Sequence, residues 1–236
     1  DIVYKNRSDD FHGLALSGPK SRDLLQKLVR ENISNENFKF RDVREMYVAG
    51  VPAIVNRISF TGELGYEVYV APHFQLKLYE EIETVGKEFN LKPFGGRALM
   101  SMRLEKNWGA WTLDFRPDFT AKESGLDFFI DWNKDFIGKE SAKKDKSKLK
   151  LTPLIIETEN IDVTNNEAVV KDGKSIGYIT SGGFAHHVKK SVAYSYLDEE
   201  ILKTNEKFQV EINGNFYNST IIKEPLYDPR GTKMRS

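Results

Sequence analysis

Residues 60 to 72 read FTGELGYEVYVAP, and this stretch decides how the first part of the chain folds. A glycine-bearing turn, TGELG, runs straight into an alternation of valines with other residues, the period-two signature of a strand with one buried face. Residues two apart share a face, so Val68 and Val70 point one way and Glu67, Tyr69 and Ala71 the other. Acidic residues are disfavoured in strands, which makes Glu63 and Glu67 at this strand entrance worth explaining.

Upstream, FHGLAL reads as a strand, and Ser17-Gly18-Pro19 starts a helix whose Leu24, Leu25, Leu28 and Val29 recur at helical spacing. After a polar loop, VPAIVNRISF reads as another strand leading into the turn. Downstream, HFQLKLYEEIETVGKEF places Leu78, Ile82, Val85 and Phe89 on one stripe of an amphipathic helix that covers the sheet. KPFGG interrupts the chain and RALMSMRLEKNWG resumes as helix. From about residue 150 the runs are short and β-rich, and Asp172-Gly173 and Asn213-Gly214 signal tight hairpins. This half reads as a small antiparallel barrel or sandwich. The charged stretch KKDKSKLK, 143 to 150, has no periodic apolar face and reads as a solvated boundary, giving domains 1–145 and 146–236.

Composition narrows the function classes. Thirty-five basic residues balance thirty-five acidic ones, so no net field favours nucleic acid or an anionic membrane. The absence of cysteine removes disulfides, thiolate metal sites and cysteine nucleophiles. No apolar run reaches the ~20 residues of a membrane span, and DIVYKNRSDD has no apolar signal-peptide core. The abundance of Lys and Asn resembles an AT-rich bacterial genome, and a cytoplasmic location is expected.

Three places can carry chemistry. If the valines take the core, Glu67 and Tyr69 face a cleft, where a carboxylate accepts two parallel hydrogen bonds from a planar donor pair such as a guanidine or a pterin edge. The competing reading leaves Glu63 and Glu67 as solvated strand-edge charges. Arg97 follows Gly95-Gly96 at a helix start, where the macrodipole disfavours a cation by ~0.3–1 kcal/mol. It can hold a ligand carboxylate bidentately or pin a neighbouring Glu such as Glu67. In KNWGAWTLDF, Trp108 reads as core, while Trp111 is open between core and a wall for an aryl group. His186-His187 lie on a loop without zinc-site spacing, so no metal is expected. TSGGF, 180 to 184, reads as a β-turn.

FTGELGYE, GGRALMSMRLEKNWGAW, ESGLDFFI, DFIGKES, SIGYITSGGF, KKSVAYSYL and EPLYDPRGTKMR, in this order along nearly the whole chain, resemble the folate-binding aminomethyltransferases. That family includes the glycine cleavage T-protein, and the tail is most similar to the C-terminal part of dimethylglycine and sarcosine dehydrogenases. The resemblance implies an α+β fold: a mixed sheet with covering helices, followed by a C-terminal antiparallel β-barrel. It also implies that Glu67, the second glutamate of TGE-x-G-x-E, binds the pterin of tetrahydrofolate. Phe60, where relatives carry Tyr, lines the same pocket without the hydroxyl, and Arg97 belongs to the folate site. With Tyr69 and Trp111 these form the expected cofactor-binding set.

The implied reaction passes a one-carbon unit, released when a methylated amine is oxidised to an iminium, onto N5 of tetrahydrofolate. Relatives carry a catalytic aspartate before the GPKSRDLL helix, and the dehydrogenases a flavin-binding half. The chain is therefore expected to be a fragment whose catalytic residue is unknown and whose FAD and partner portion lie in a missing N-terminal part. A stand-alone aminomethyltransferase and a non-catalytic folate-binding module are the alternatives.

Overall fold

In a computed structural model that describes residues 2–158, 161–203 and 207–236, FTGELGYEVYV forms the expected turn and strand. The strand is β4 (Gly65–Val70), placed between β1 (His12–Ser17) and β3 (Val51–Asn56), with β2 (Val43–Val48) beyond β3. The α+β class holds, with one correction to the sheet: all its pairings are antiparallel, where a mixed sheet was expected. The connections explain this. β2 and β3 are joined by Ala49-Gly50, both at positive φ, and β3 and β4 by residues 57–64, too short for the dozen-residue crossover that parallel neighbours need. β2 falls in what the sequence presents as a polar loop, because Val43 and Tyr47 face solvent and only Met46 and Val48 are buried.

The chain divides into two compact units, residues 1–99 with 230–236, and 100–229. In the first, one face of the sheet supplies Leu16, Val55, Tyr66, Val68 and Val70 to a core closed by two helices. From α1 (Ser21–Leu28) come Leu24, Leu25 and Leu28, and from α2 (Gln75–Gly86) come Leu78 and Ile82, as the helical spacing predicts. Val68 and Val70 are fully buried, worth ~1.5–3 kcal/mol each over exposure, and this fixes the strand's register: a one-residue slip would bury Glu67 in their place. Residues 230–236 are tied to this unit at Ser236, whose carbonyl accepts bonds from Arg22 (2.5 Å) and the buried Arg57 (2.6 Å).

The second unit is built on a closed antiparallel barrel of order β10-β5-β8-β7-β6-β9. Its strands are β5 (Leu149–Ile156), β6 (Ala168–Lys171), β7 (Lys174–Ala185), β8 (Lys190–Asp198), β9 (Phe208–Ile212) and β10 (Asn215–Ile221). Asp172-Gly173 turns β6 into β7 and Asn213-Gly214 turns β9 into β10, each pair at the positive φ that a tight hairpin demands. TSGGF is not a turn: it runs inside β7, where Gly182 and Gly183 lie opposite Ala193 and Val192. A Cβ on Gly182 would sit 2.8 Å from the Val163 carbonyl, so this glycine serves close packing. Among the described residues, no helix is long and apolar enough to cross a membrane.

Candidate functional site

The turn before β4 is organised by short hydroxyl contacts. Ser59 and Thr61 hydroxyls are 2.7 Å apart, the Thr61 N–H donates to Ser59 Oγ (3.1 Å), and Gly62 takes φ 85° to let the chain reverse. A Cβ on Gly65 would lie 2.7 Å from that of Ser59, so β4 can begin here only with glycine. The strand then delivers Glu67 and Tyr69 to the sheet face opposite the core, half-buried.

Glu67 Oε2 accepts a 2.7 Å bond from the Tyr69 hydroxyl. The Tyr69 ring in turn lies over Gly13 on β1, its register partner, within 2.9 Å of where a Cβ would project. The bond to Glu67, then burial, then the Glu67 charge push the Tyr69 phenol up to about 12. At neutral pH Tyr69 therefore stays protonated and keeps donating, which fixes the carboxylate's orientation. Directly across from Glu67 are Ala15 on β1 and Asn56 on β3. Facing residues of an antiparallel pair share a sheet face, with Cβ atoms ~4.5–5.5 Å apart. Asn56 Oδ1 is buried and has no hydrogen-bond partner among the described residues.

Glu63 does not belong to this face: it pairs with Lys233 at 3.4 Å. Phe60 is half-buried in the bend just before Thr61. Arg97 is exposed on the first turn of α3 (Gly96–Glu105). Its neighbours Gly95 and Gly96 line a cavity of about 440 Å³, walled by Leu14 and Leu16 of β1, Ile82 of α2, and Leu91. That cavity borders β1 and α2 and is lined by none of Glu67, Tyr69, Phe60 or Arg97. Trp111 belongs to the second unit, 76% exposed and edge-on to Phe115 at 5.5 Å. Trp108 is half-buried, short of the core position expected of it. The structure thus couples Glu67 directly to Tyr69, keeps Phe60 and Arg97 in the same compact unit, and places Trp111 in the other.

Sequence reasoning missed two features. Asn56 became visible only through strand register. Asp114, read merely as the acid among aromatics, is fully buried in the second unit. It accepts from Arg103 Nη1 (2.8 Å), the Ala110 N–H (2.8 Å), Ser181 Oγ (2.7 Å) and Thr180 Oγ1. His186 and His187 lie in the turn after β7, where the His187 N–H donates to Glu105 at 2.7 Å.

Comparison with known proteins matches residues 1–134 to the GCVT N-terminal domain and residues 150–228 to the glycine cleavage T-protein C-terminal barrel domain. Human mitochondrial dimethylglycine dehydrogenase is 36% identical over 240 residues, covering all of this chain and 28% of that protein. The aminomethyltransferase of Desulfitobacterium hafniense (strain DSM 10664 / DCB-2) is 34% identical over 235 residues, covering 98% of this chain and 64% of its own. Glycine cleavage system aminomethyltransferase T from Bartonella henselae, at 20% identity, superposes with a TM-score of 0.80 over 93% of this chain and 60% of that one, so the fold is shared. The chain spans under two thirds of the length of each of these relatives. With the first domain profile covering more than half of its residues, the chain belongs to the glycine cleavage T-protein family.

Proposed function

We propose that this chain forms the tetrahydrofolate-binding, methylene-accepting part of a dimethylglycine or sarcosine dehydrogenase-like enzyme. The carrying observation is the Glu67 carboxylate: it is half-buried on an open sheet face and oriented through one oxygen by Tyr69. Among the described residues no donor reaches its other oxygen. A carboxylate so held suits a planar donor pair such as a pterin's ring N–H and amino group.

Tetrahydrofolate, when bound, supplies the nitrogen that takes up the one-carbon unit. The chain's own residues bind and orient. Glu67 grips the pterin edge, Tyr69 holds Glu67 in a single rotamer, and Phe60 gives the ring an apolar wall. Arg97 holds a folate carboxylate. Positioning of this kind is the protein's main contribution when a cofactor carries the chemistry. In this reading, oxidation of the methylated amine and its flavin belong to the portion of the dehydrogenases outside these residues. A stand-alone aminomethyltransferase is the second reading, favoured by relatives of that name that match 96–98% of the chain.

Calorimetric titration of 5-formyltetrahydrofolate into the native chain and its Glu67→Gln variant tests the proposal. Binding by the native chain that weakens tenfold or more in the variant is expected. Equal binding by both, or none by either, overturns it.

A further inference from the structure

We propose that the free edge of β1, with the cavity of about 440 Å³ beside it, docks residues 2–4 of a second copy of this chain as an added strand. β1 ends the sheet, and its ladder with β4 decides which of its main-chain groups are already used. The Gly18 N–H donates to the Leu64 carbonyl at 2.8 Å, continuing the register in which Leu16 faces Tyr66 and Leu14 faces Val68. Bonded pairs of an antiparallel ladder recur at every second residue. Leu14 and Leu16 therefore bond to β4, while the N–H and C=O of Gly13, Ala15 and Ser17 point out of the sheet. Among the described residues no hydrogen bond reaches those outward groups. All three residues line the cavity, whose apolar walls include Leu14, Leu16, Ile82 and Leu91, and the exposed Tyr79 and Phe94 border it too.

A row of outward N–H and C=O groups at every second residue matches another extended main chain. A pocket beside such an edge receives alternate side chains of the incoming strand, and these walls require apolar ones. Ile2, Val3 and Tyr4 are consecutive, β-branched or aromatic, and 91–97% exposed, which makes them strand-prone and uncovered. Their own β1 cannot take them in register. The turn that follows them is closed by the Asp10 N–H on the Arg7 carbonyl (3.0 Å). Prolonged as a hairpin, it would put Lys5 and Val3 in bonded pairs with His12 and Leu14, whose main-chain groups already serve β4. The same stretch from another copy is free of that constraint and pairs with Gly13, Ala15 and Ser17. Exchange in both directions gives a closed twofold dimer.

Sedimentation equilibrium of the native chain, of Ala15→Pro and of the triple variant Ile2→Ser/Val3→Ser/Tyr4→Ser tests the proposal. Proline at position 15 removes an outward N–H and no ladder bond, and the serines replace side chains that the single chain leaves in water. Thermal unfolding confirms that each variant is folded. Concentration-dependent dimerisation of the native chain, weakened about tenfold or more by each variant, is expected. Mixing the two variants joins one intact groove to one intact segment, so the mixture should associate more tightly than either variant alone. Hydrogen exchange needs no variant if Ala15→Pro does not fold: the Ala15 and Ser17 amides should exchange rapidly in the dilute native chain and slow down as its concentration rises. The proposal is overturned by a native chain that stays monomeric throughout its soluble range, or by a dimer that is weakened by neither variant or by one alone. A mixture no tighter than its parts, or amides at 15 and 17 that gain no protection, overturns it equally.

Discussion

Two carboxylates in this molecule have opposite surroundings. Asp114, fully buried in the second unit, accepts from four donors, including the guanidinium of Arg103, and has no capacity left. Glu67, half-buried on the first unit's sheet face opposite the core, accepts from Tyr69 alone among the described residues. A saturated carboxylate is structural: it ties the end of α3 to β7, and its isolation from water makes each donor indispensable. An unsaturated one, held in place by a single bond, retains lone pairs for a ligand. The comparison separates scaffold from site without reference to depth of cavity, which matters here because the 440 Å³ cavity touches neither residue.

The largest effect belongs to Asp114. Its replacement by Ala strands the Arg103 charge, 1% exposed, and should cost ~3–5 kcal/mol, read as a lower denaturant midpoint. A loss under ~1 kcal/mol would break the distinction between the two carboxylates. Glu67→Gln should do the reverse, leaving stability within ~0.5 kcal/mol while removing ~1.5–3 kcal/mol of folate binding. If unfolding midpoints fall as far as for Asp114→Ala, Glu67 is scaffold too.

The Tyr69 bond sharpens the contrast through pH. With the phenol raised from 10.0 to about 12 in the folded chain, the bond stabilises the fold fully below about pH 10. That stabilisation disappears as pH rises towards 12, where the folded-state phenol ionises. Tyrosinate absorbance, assigned by difference against Tyr69→Phe, should show this titration moving down in Glu67→Gln, because the main cause of the shift is gone. An unmoved titration would mean that burial, and not the carboxylate, raises it. The smallest effect is expected at Glu63→Gln: its pair with Lys233 is exposed, with the lysine side chain at 50%, and such pairs contribute ~0–1 kcal/mol. Urea unfolding that shows more than that would promote Glu63 from surface pair to structural anchor.

Local patterns made much of the fold legible. The leucines of α1 and the Leu78 and Ile82 stripe of α2 are buried as their spacing requires, because one helix face must leave water. The hairpins at Asp172-Gly173 and Asn213-Gly214 follow from the few residues that tolerate positive φ. β2 escaped because an edge strand with solvent-facing Val43 and Tyr47 lacks a clean alternation. TSGGF misled because glycines chosen for close packing look the same in sequence as glycines chosen for turns.

The sequence by itself determined which face of β4 is apolar, and hence that Glu67 and Tyr69 emerge together on the other. That follows from strand geometry acting over six residues. Only the tertiary structure decided what stands beside them. Asn56 meets Glu67 through the β3–β4 register, and Asp114 meets Thr180 and Ser181 from 66 and 67 residues away. Both depend on pairings between segments that carry no mark of one another in the chain, because a hydrogen-bond partner is fixed by where the backbone brings it.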